Sequence, residues 1–317
     1  MLMRCVPQFA LVVASAPFGV SPIAFWMYVA AALVLLAGLV RLVKELPQEY
    51  GIDKLMPFGR LFFAIPMTVF GTEHFTDTAD IASLVPRWIP WHTFWAYAVG
   101  LGFICAGFAI AARVQARLAA TLVGTTFIIF VCTMGLPGVI AEPHNRFAWI
   151  LLPRELCFGS GALAFAMSPR PVRSSSAPPA PAWAVFPRFV IGITSAFYGI
   201  EHLLHPEHVP GIPLERITPP WIPGRIGLSY FVGVVLILGG LCLLINLRAR
   251  LAATCLGLTV LLTMLWIYLP MLIAAPLEVE SLNYFFDTLL FCGAILLLAD
   301  SLAPDERPAQ ANFARAV

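Results

Sequence analysis

The chain has 317 residues, 60% of them apolar and only 11% charged, with a formal net charge of +2 and a mean hydropathy of +0.87. A soluble domain carries about 25% charged residues, so this is the composition of a membrane protein. The small net charge excludes the basic footprint that a nucleic-acid partner requires.

A bilayer core of about 30 Å takes about 20 mostly apolar residues per helix. Nine stretches reach that length: 22–42, 58–76, 92–111, 117–138, 147–167, 188–205, 226–245, 251–273 and 281–300. Ahead of them, "MLMRCVPQFALVVASA" faintly resembles a signal peptide ending in Ala14-Ser15-Ala16, although its apolar part is short. With the N-terminus outside, thirteen Lys and Arg fall on the inner side and five on the outer. That asymmetry predicts an outer N-terminus and a cytoplasmic C-terminus. The seven cysteines sit mostly inside apolar runs without a Cys-x-x-Cys, as small hydrophobes do. The sequence has no Gly-rich nucleotide loop and no HExxH.

The second half copies the first. Arg60 to Glu73 and Arg188 to Glu201 each span 13 residues. "VPRWIP" (85–90) answers "TPPWIP" (218–223), and "ARLAAT" (116–121) recurs at 249–254. Gly107 pairs with Gly240, Pro137 with Pro270, and "ELCFGSGAL" (155–163) with "DTLLFCGAI" (287–295). The expected architecture is all-α and polytopic: an N-terminal segment with one extra helix (1–57), then two four-helix units (58–167 and 188–300). An even number of helices makes the units parallel. A Pro/Ser-rich cytoplasmic linker (168–187) joins them, and a polar tail (301–317) follows.

Arg60 and Arg188 mark the inner end of each unit's first helix. Thirteen residues at about 1.5 Å each place "GTEHFTDTAD" (71–80) and "GIEHLLHPEH" (199–208) roughly 20 Å further out. The duplicated Glu73-His74 and Glu201-His202 are candidates for proton handling, since a carboxylate near hydrocarbon needs a partner or a wet cavity. If the helices continue, His74 and Asp77, or His202 and His205, share a face that suits a divalent metal. The alternative for Asp77, Asp80, His205 and His208 is polar residues leaving the bilayer. A bis-His haem between His74 and His202 is a weaker option, because haem bundles usually place their ligands deeper.

Deeper in the bundle, Glu155 with Arg154 beside it, and Asp287 at the matching place, put acids near mid-helix at about 2.5–3.5 kcal/mol each. They either tie the bundle together by buried hydrogen bonds or relay protons and contact a ligand. Trp88 and Trp221 lie in loops that their prolines keep out of helix. They either anchor at the interface or wall a ligand opening.

In order and spacing, Arg60…Gly71-x-x-His74-Phe75, "VPRWIP", "ARLAAT" and "RELCFGSGAL" resemble the DoxX-like family of four-helix membrane proteins. In the second unit the match is Arg188…Gly199-x-x-His202-Leu203, His205-Pro206, "TPPWIP", "ARLAAT" and Asp287. The resemblance covers most of the chain. It departs from the family in the extra first helix, in the fusion of two units, and in Phe286, which stands where a basic residue would precede Asp287. Some members accompany quinone-linked oxidoreduction, a distant relative is a cargo receptor, and many have no assigned activity.

The resemblance implies a membrane four-helix bundle; the duplicated titratable residues beside aromatic, Pro-rigid loops, taken with it, lead to the expectation of a component of a quinone-linked redox system in the bacterial inner membrane. Its catalytic residues would be Glu73, His74, Glu201 and His202. Ligand contacts would come from Arg60, Trp88, Arg154, Glu155, Arg188, Trp221 and Asp287. Quinone is the cofactor expected, ahead of metal or haem, with the lipid bilayer and a redox partner protein as partners. The alternatives are a non-catalytic scaffold or cargo factor, and a small-solute transporter.

Overall fold

The computed structural model describes residues 22–48, 50–168, 185–208 and 217–303. The signal-like start, most of the linker and the tail lie outside these residues. The described chain is all-α, with no strand beyond one isolated bridge between His208 and Ile217.

Its helices are α1 (Pro22–Glu45), α2 (Met56–Thr76), the short α3 (Thr78–Leu84), α4 (His92–Ala112), α5 (Ala116–Phe130) and α6 (Leu136–Ala141). Next come α7 (Arg146–Met167), α8 (Val185–Leu204), α9 (Arg225–Leu244), α10 (Ala249–Thr263), α11 (Leu269–Ala274) and α12 (Val279–Ser301). Eight helical stretches are long and apolar enough to cross a membrane, α5–α6 and α10–α11 each counting as one. The protein is an integral membrane protein of the polytopic kind. α8 is the ninth expected span; it forms with 20 residues, but Arg188, Glu201 and His202 lower its hydropathy below that of the others.

The same local devices recur in both halves. α5 and α10 each run into a π-helical turn, Val131–Gly135 and Met264–Tyr268, immediately before Pro137 and Pro270. A proline inside a helix removes one N–H and crowds the preceding turn. The wider turn absorbs it, with Leu136 N–H donating to Val131 O and Leu269 N–H to Met264 O. The Pro-rich loops close alike, Ile89 N–H on Pro86 O at 2.9 Å and Ile222 N–H on Pro219 O at 3.1 Å. Small residues let the first two helices of each half touch. A Cβ on Gly71 would sit 2.7 Å from Gly100 O, and one on Gly199 would sit 2.6 Å from Gly233 O.

The halves do not close on themselves. α2 packs on α4, α1 and, across the chain, α12; α8 packs on α9 and on α7. The last helix of each half thus receives the first helix of the other, and α7 and α12 meet at the centre. α12 is buried along almost its whole length. At the N-terminal end of α2, Glu45 of α1 accepts from Arg60 of α2 and, at 2.9 Å, from Arg113 after α4, which binds the extra helix to the first half.

Candidate functional site

Two polar groups at the C-terminal ends of α2 and α8 carry the duplicated Glu-His. Adjacent helical residues diverge by about 100°, and the two side chains accordingly meet different helices. Glu73 points at α12, where Asn283 Nδ2 donates to its Oε1 at 2.8 Å. His74 turns toward α4, its ring edge-on to Phe103 at 5.7 Å. Gly100 leaves room for it, since a Cβ there would lie 2.6 Å from that of His74. His74 Nδ1 lies 2.7 Å from Phe70 O. A carbonyl can only accept, so Nδ1 carries the proton and the neutral ring keeps its lone pair on Nε2.

The second copy is built differently. Arg146 opens α7 just after Asn145, whose Oδ1 caps the helix by accepting from Phe147 N–H at 3.0 Å. A cation at a helix N-terminus is unfavourable, and Glu201 compensates it. Arg146 Nε donates to Glu201 Oε2 at 2.9 Å, and its Nη2 lies 2.8 Å from the same oxygen. His202 turns inward. It is 1% exposed, and neither ring nitrogen has a hydrogen-bond partner. Ser229, on α9, donates to the His202 carbonyl at 3.4 Å, not to the ring.

The structure brings together a third group that the sequence treated as separate positions. At the meeting of α7 and α12, Arg154 Nη1 donates to Asp287 Oδ2 at 2.8 Å and Nη2 to Glu155 Oε1 at 2.9 Å. Phe286 stands where a second basic residue would be, so one guanidinium serves both carboxylates. Two hydrogen bonds from α8 border the cluster. Tyr198 Oη donates to Ile150 O at 2.6 Å and Thr194 Oγ1 to Pro153 O at 3.3 Å.

Other candidates fall elsewhere. Arg60 pairs with Glu45 near the N-terminus of α2, and Arg188 donates to Leu243 O at the C-terminal end of α9 while its guanidinium lies over Phe189. Both stand at the opposite end of their helices from the Glu-His pairs. Trp88 and Trp221 are 72% and 56% exposed.

The shared metal face is corrected. α2 ends at Thr76, and Asp77 leaves the helix with φ −126° and ψ 44°, which takes it off the face of His74. Burial, and then Asp80, push the Asp77 carboxyl up from its ordinary value. In the second copy Pro206 ends α8 while His202 faces the interior. Among the described residues, the ligand-type side chains that converge are instead His205, Glu207 and His208. For haem, the helices carrying His74 and His202 do not pack on each other.

Arg146, Asn283 and Glu207 are the members of these polar groups that sequence reasoning missed. Only Glu207, flanked by histidines in "HPEH", carried a local signal. Comparison of the chain with protein-family models, with curated proteins and with solved structures returns no match.

Proposed function

We propose that the protein is a tandem DoxX-like component of a quinone-linked redox system. In this reading it lies in the bacterial inner membrane with its N-terminus outside, and its outer end exchanges protons with a quinone headgroup. The observation that supports this most is the ring of His202, buried with both nitrogens unmet. A neutral imidazole has one donor and one acceptor. Leaving a buried polar group unsatisfied costs about 1–3 kcal/mol, so the site favours a ligand that completes it.

A quinone meets one ring nitrogen in each oxidation state: its carbonyl accepts from the N–H, and the hydroquinone hydroxyl donates to the other nitrogen's lone pair. Reduction takes up two electrons, from a redox partner protein, and two protons, which the imidazole can pass on. Glu201, neutralised by Arg146, holds the neighbouring charge balanced without occupying the ring. The lone pair on His74 Nε2 gives the first half an acceptor that suits the hydroquinone form.

The test is titration of the detergent-purified protein with a short-tailed quinone, alongside extraction of any quinone it retains. Wild-type protein binds at roughly micromolar concentration, a binding energy of about 8 kcal/mol. His202→Leu weakens binding by at least about tenfold, the worth of about 1.4 kcal/mol. Absence of binding by the wild type at roughly tens of micromolar ends this reading.

One observation favours a second reading, a membrane scaffold. Trp88, Trp91 and Trp221 are exposed beside rigid Pro-rich turns, and aromatic residues are favoured anchors for protein partners. In that case His74→Ala with His202→Ala leaves partner capture intact, whereas Trp88→Ala with Trp221→Ala abolishes it. The opposite pattern returns the decision to the histidines.

A further inference from the structure

We propose that His205, Glu207 and His208 form a binding site for one divalent transition-metal ion of the zinc class at the C-terminal end of α8, separate from the His202 site.

The three side chains offer one ligand atom each, and these atoms all lie within 4.8 Å of one another. Nδ1 of His208 is 3.2 Å from Glu207 Oε1, and Nδ1 of His205 is 3.9 Å from the same oxygen. Zinc bonds of about 2.0–2.2 Å put tetrahedral donors about 3.3–3.5 Å apart. The His208–Glu207 edge, at 3.2 Å, is within about 0.1 Å of that range, and the partly exposed His205 ring, at 3.9 Å, has the other edges to shorten. Two imidazoles and a carboxylate are the donors that zinc and its neighbours prefer, whereas magnesium and calcium call for oxygen alone.

The backbone presents these donors on a turn fixed from both sides. His205 N–H donates to Glu201 O at 2.9 Å, continuing the last helical turn, and His208 N–H donates to His205 O at 3.2 Å. Residues 205–208 are therefore a β-turn with Pro206 at its second position, where the fixed φ of proline is favoured. His208 also bridges to Ile217, and Thr218 N–H donates to Glu207 O at 2.9 Å. With the turn already held, an ion has only side chains to order.

Nδ1 of His208 is buried, with Glu207 Oε1 at 3.2 Å as its ion-pair partner. Thr218, whose N–H bonds to Glu207 O, has a buried hydroxyl with no hydrogen-bond partner. Three protein donors leave a fourth position for water or an exchangeable ligand, the arrangement of an open zinc site. The first half has no counterpart, because Asp77, Ala79 and Asp80 stand where His205, Glu207 and His208 do.

The test uses the full chain, purified in detergent on a handle without histidines and stripped with a chelator. It is titrated with Co²⁺, and Zn²⁺ is then added to displace it. The expected result is one Co²⁺ per chain, the visible ligand-field bands of a four- or five-coordinate ion, and their loss on adding Zn²⁺. His205→Ala and His208→Ala each weaken binding by about 100-fold or more, beyond the 10–100-fold typical of outer-shell losses. His144→Ala leaves it unchanged.

These are turn residues, so retention of the gel-filtration profile shows that each variant is folded. Binding that survives the double variant His205→Ala/His208→Ala, or no binding by the wild type below roughly 100 µM, overturns the proposal. Neither outcome touches the quinone reading, which rests on His202.

Discussion

Arg154→Met lowers the stability of the detergent-solubilised protein by about 3–5 kcal/mol, the usual cost of stripping one partner from a buried ion pair. The guanidinium is the shared donor to Glu155 and Asp287. Without it, two carboxylates lie together between α7 and α12 with no cation to balance them. Asp287→Asn is much milder, because Arg154 keeps Glu155 and the amide keeps an acceptor. The triple variant Arg154→Met/Glu155→Gln/Asp287→Asn recovers most of the loss, since removing a whole buried charge cluster is often close to neutral. Thermal unfolding of all three, read by gel filtration, checks the ranking. Equal losses for Arg154→Met and Asp287→Asn would show that the cluster does not hold the two helices.

Gly161→Val and Gly293→Val disrupt the same centre by sterics, each by more than about 3 kcal/mol, at or above the upper end of ordinary overpacking. A Cβ at Gly161 would lie 2.5 Å from Ala294 Cα, and one at Gly293 would lie 2.5 Å from the backbone nitrogen of Phe63. Neither neighbour can turn aside, so the helices themselves must part: α7 from α12 in the first case, α2 from α12 in the second. Gly239→Ala is the control. Its Cβ would meet only the Leu256 side chain, at 2.6 Å, which can change rotamer. It costs about 1 kcal/mol, the low end of overpacking. The yield of monodisperse protein and its midpoint of unfolding separate the two classes.

Much of the architecture was legible because lipid imposes a length on each apolar run and because Pro, Trp and Gly mark turns and close contacts. The matching positions of Pro137 and Pro270 announce the two π turns, and "VPRWIP" and "TPPWIP" announce the matching loops. Partner choice was not legible. A helix surrounded by lipid and other helices is apolar on every side, so periodicity does not say which face meets which neighbour. Nothing in the sequence shows that Glu73 meets Asn283, 210 positions away, or that Glu201 meets Arg146. The metal expectation failed for a local reason: it assumed that the helices ran on past Thr76 and Leu204, where Asp77 and Pro206 redirect the backbone.

The packing of α2 on α12 has a consequence for biosynthesis. At about 5–20 residues per second, the ribosome needs on the order of ten seconds or more to pass from Thr76 to Val279. Through that interval the nascent α2 lacks Asn283 for its carboxylate and the Gly293 notch for its flank. A premature stop before Val279 therefore releases a chain whose earliest core helix never acquires its mate, and the final span to leave the translocon decides whether the product escapes proteolysis.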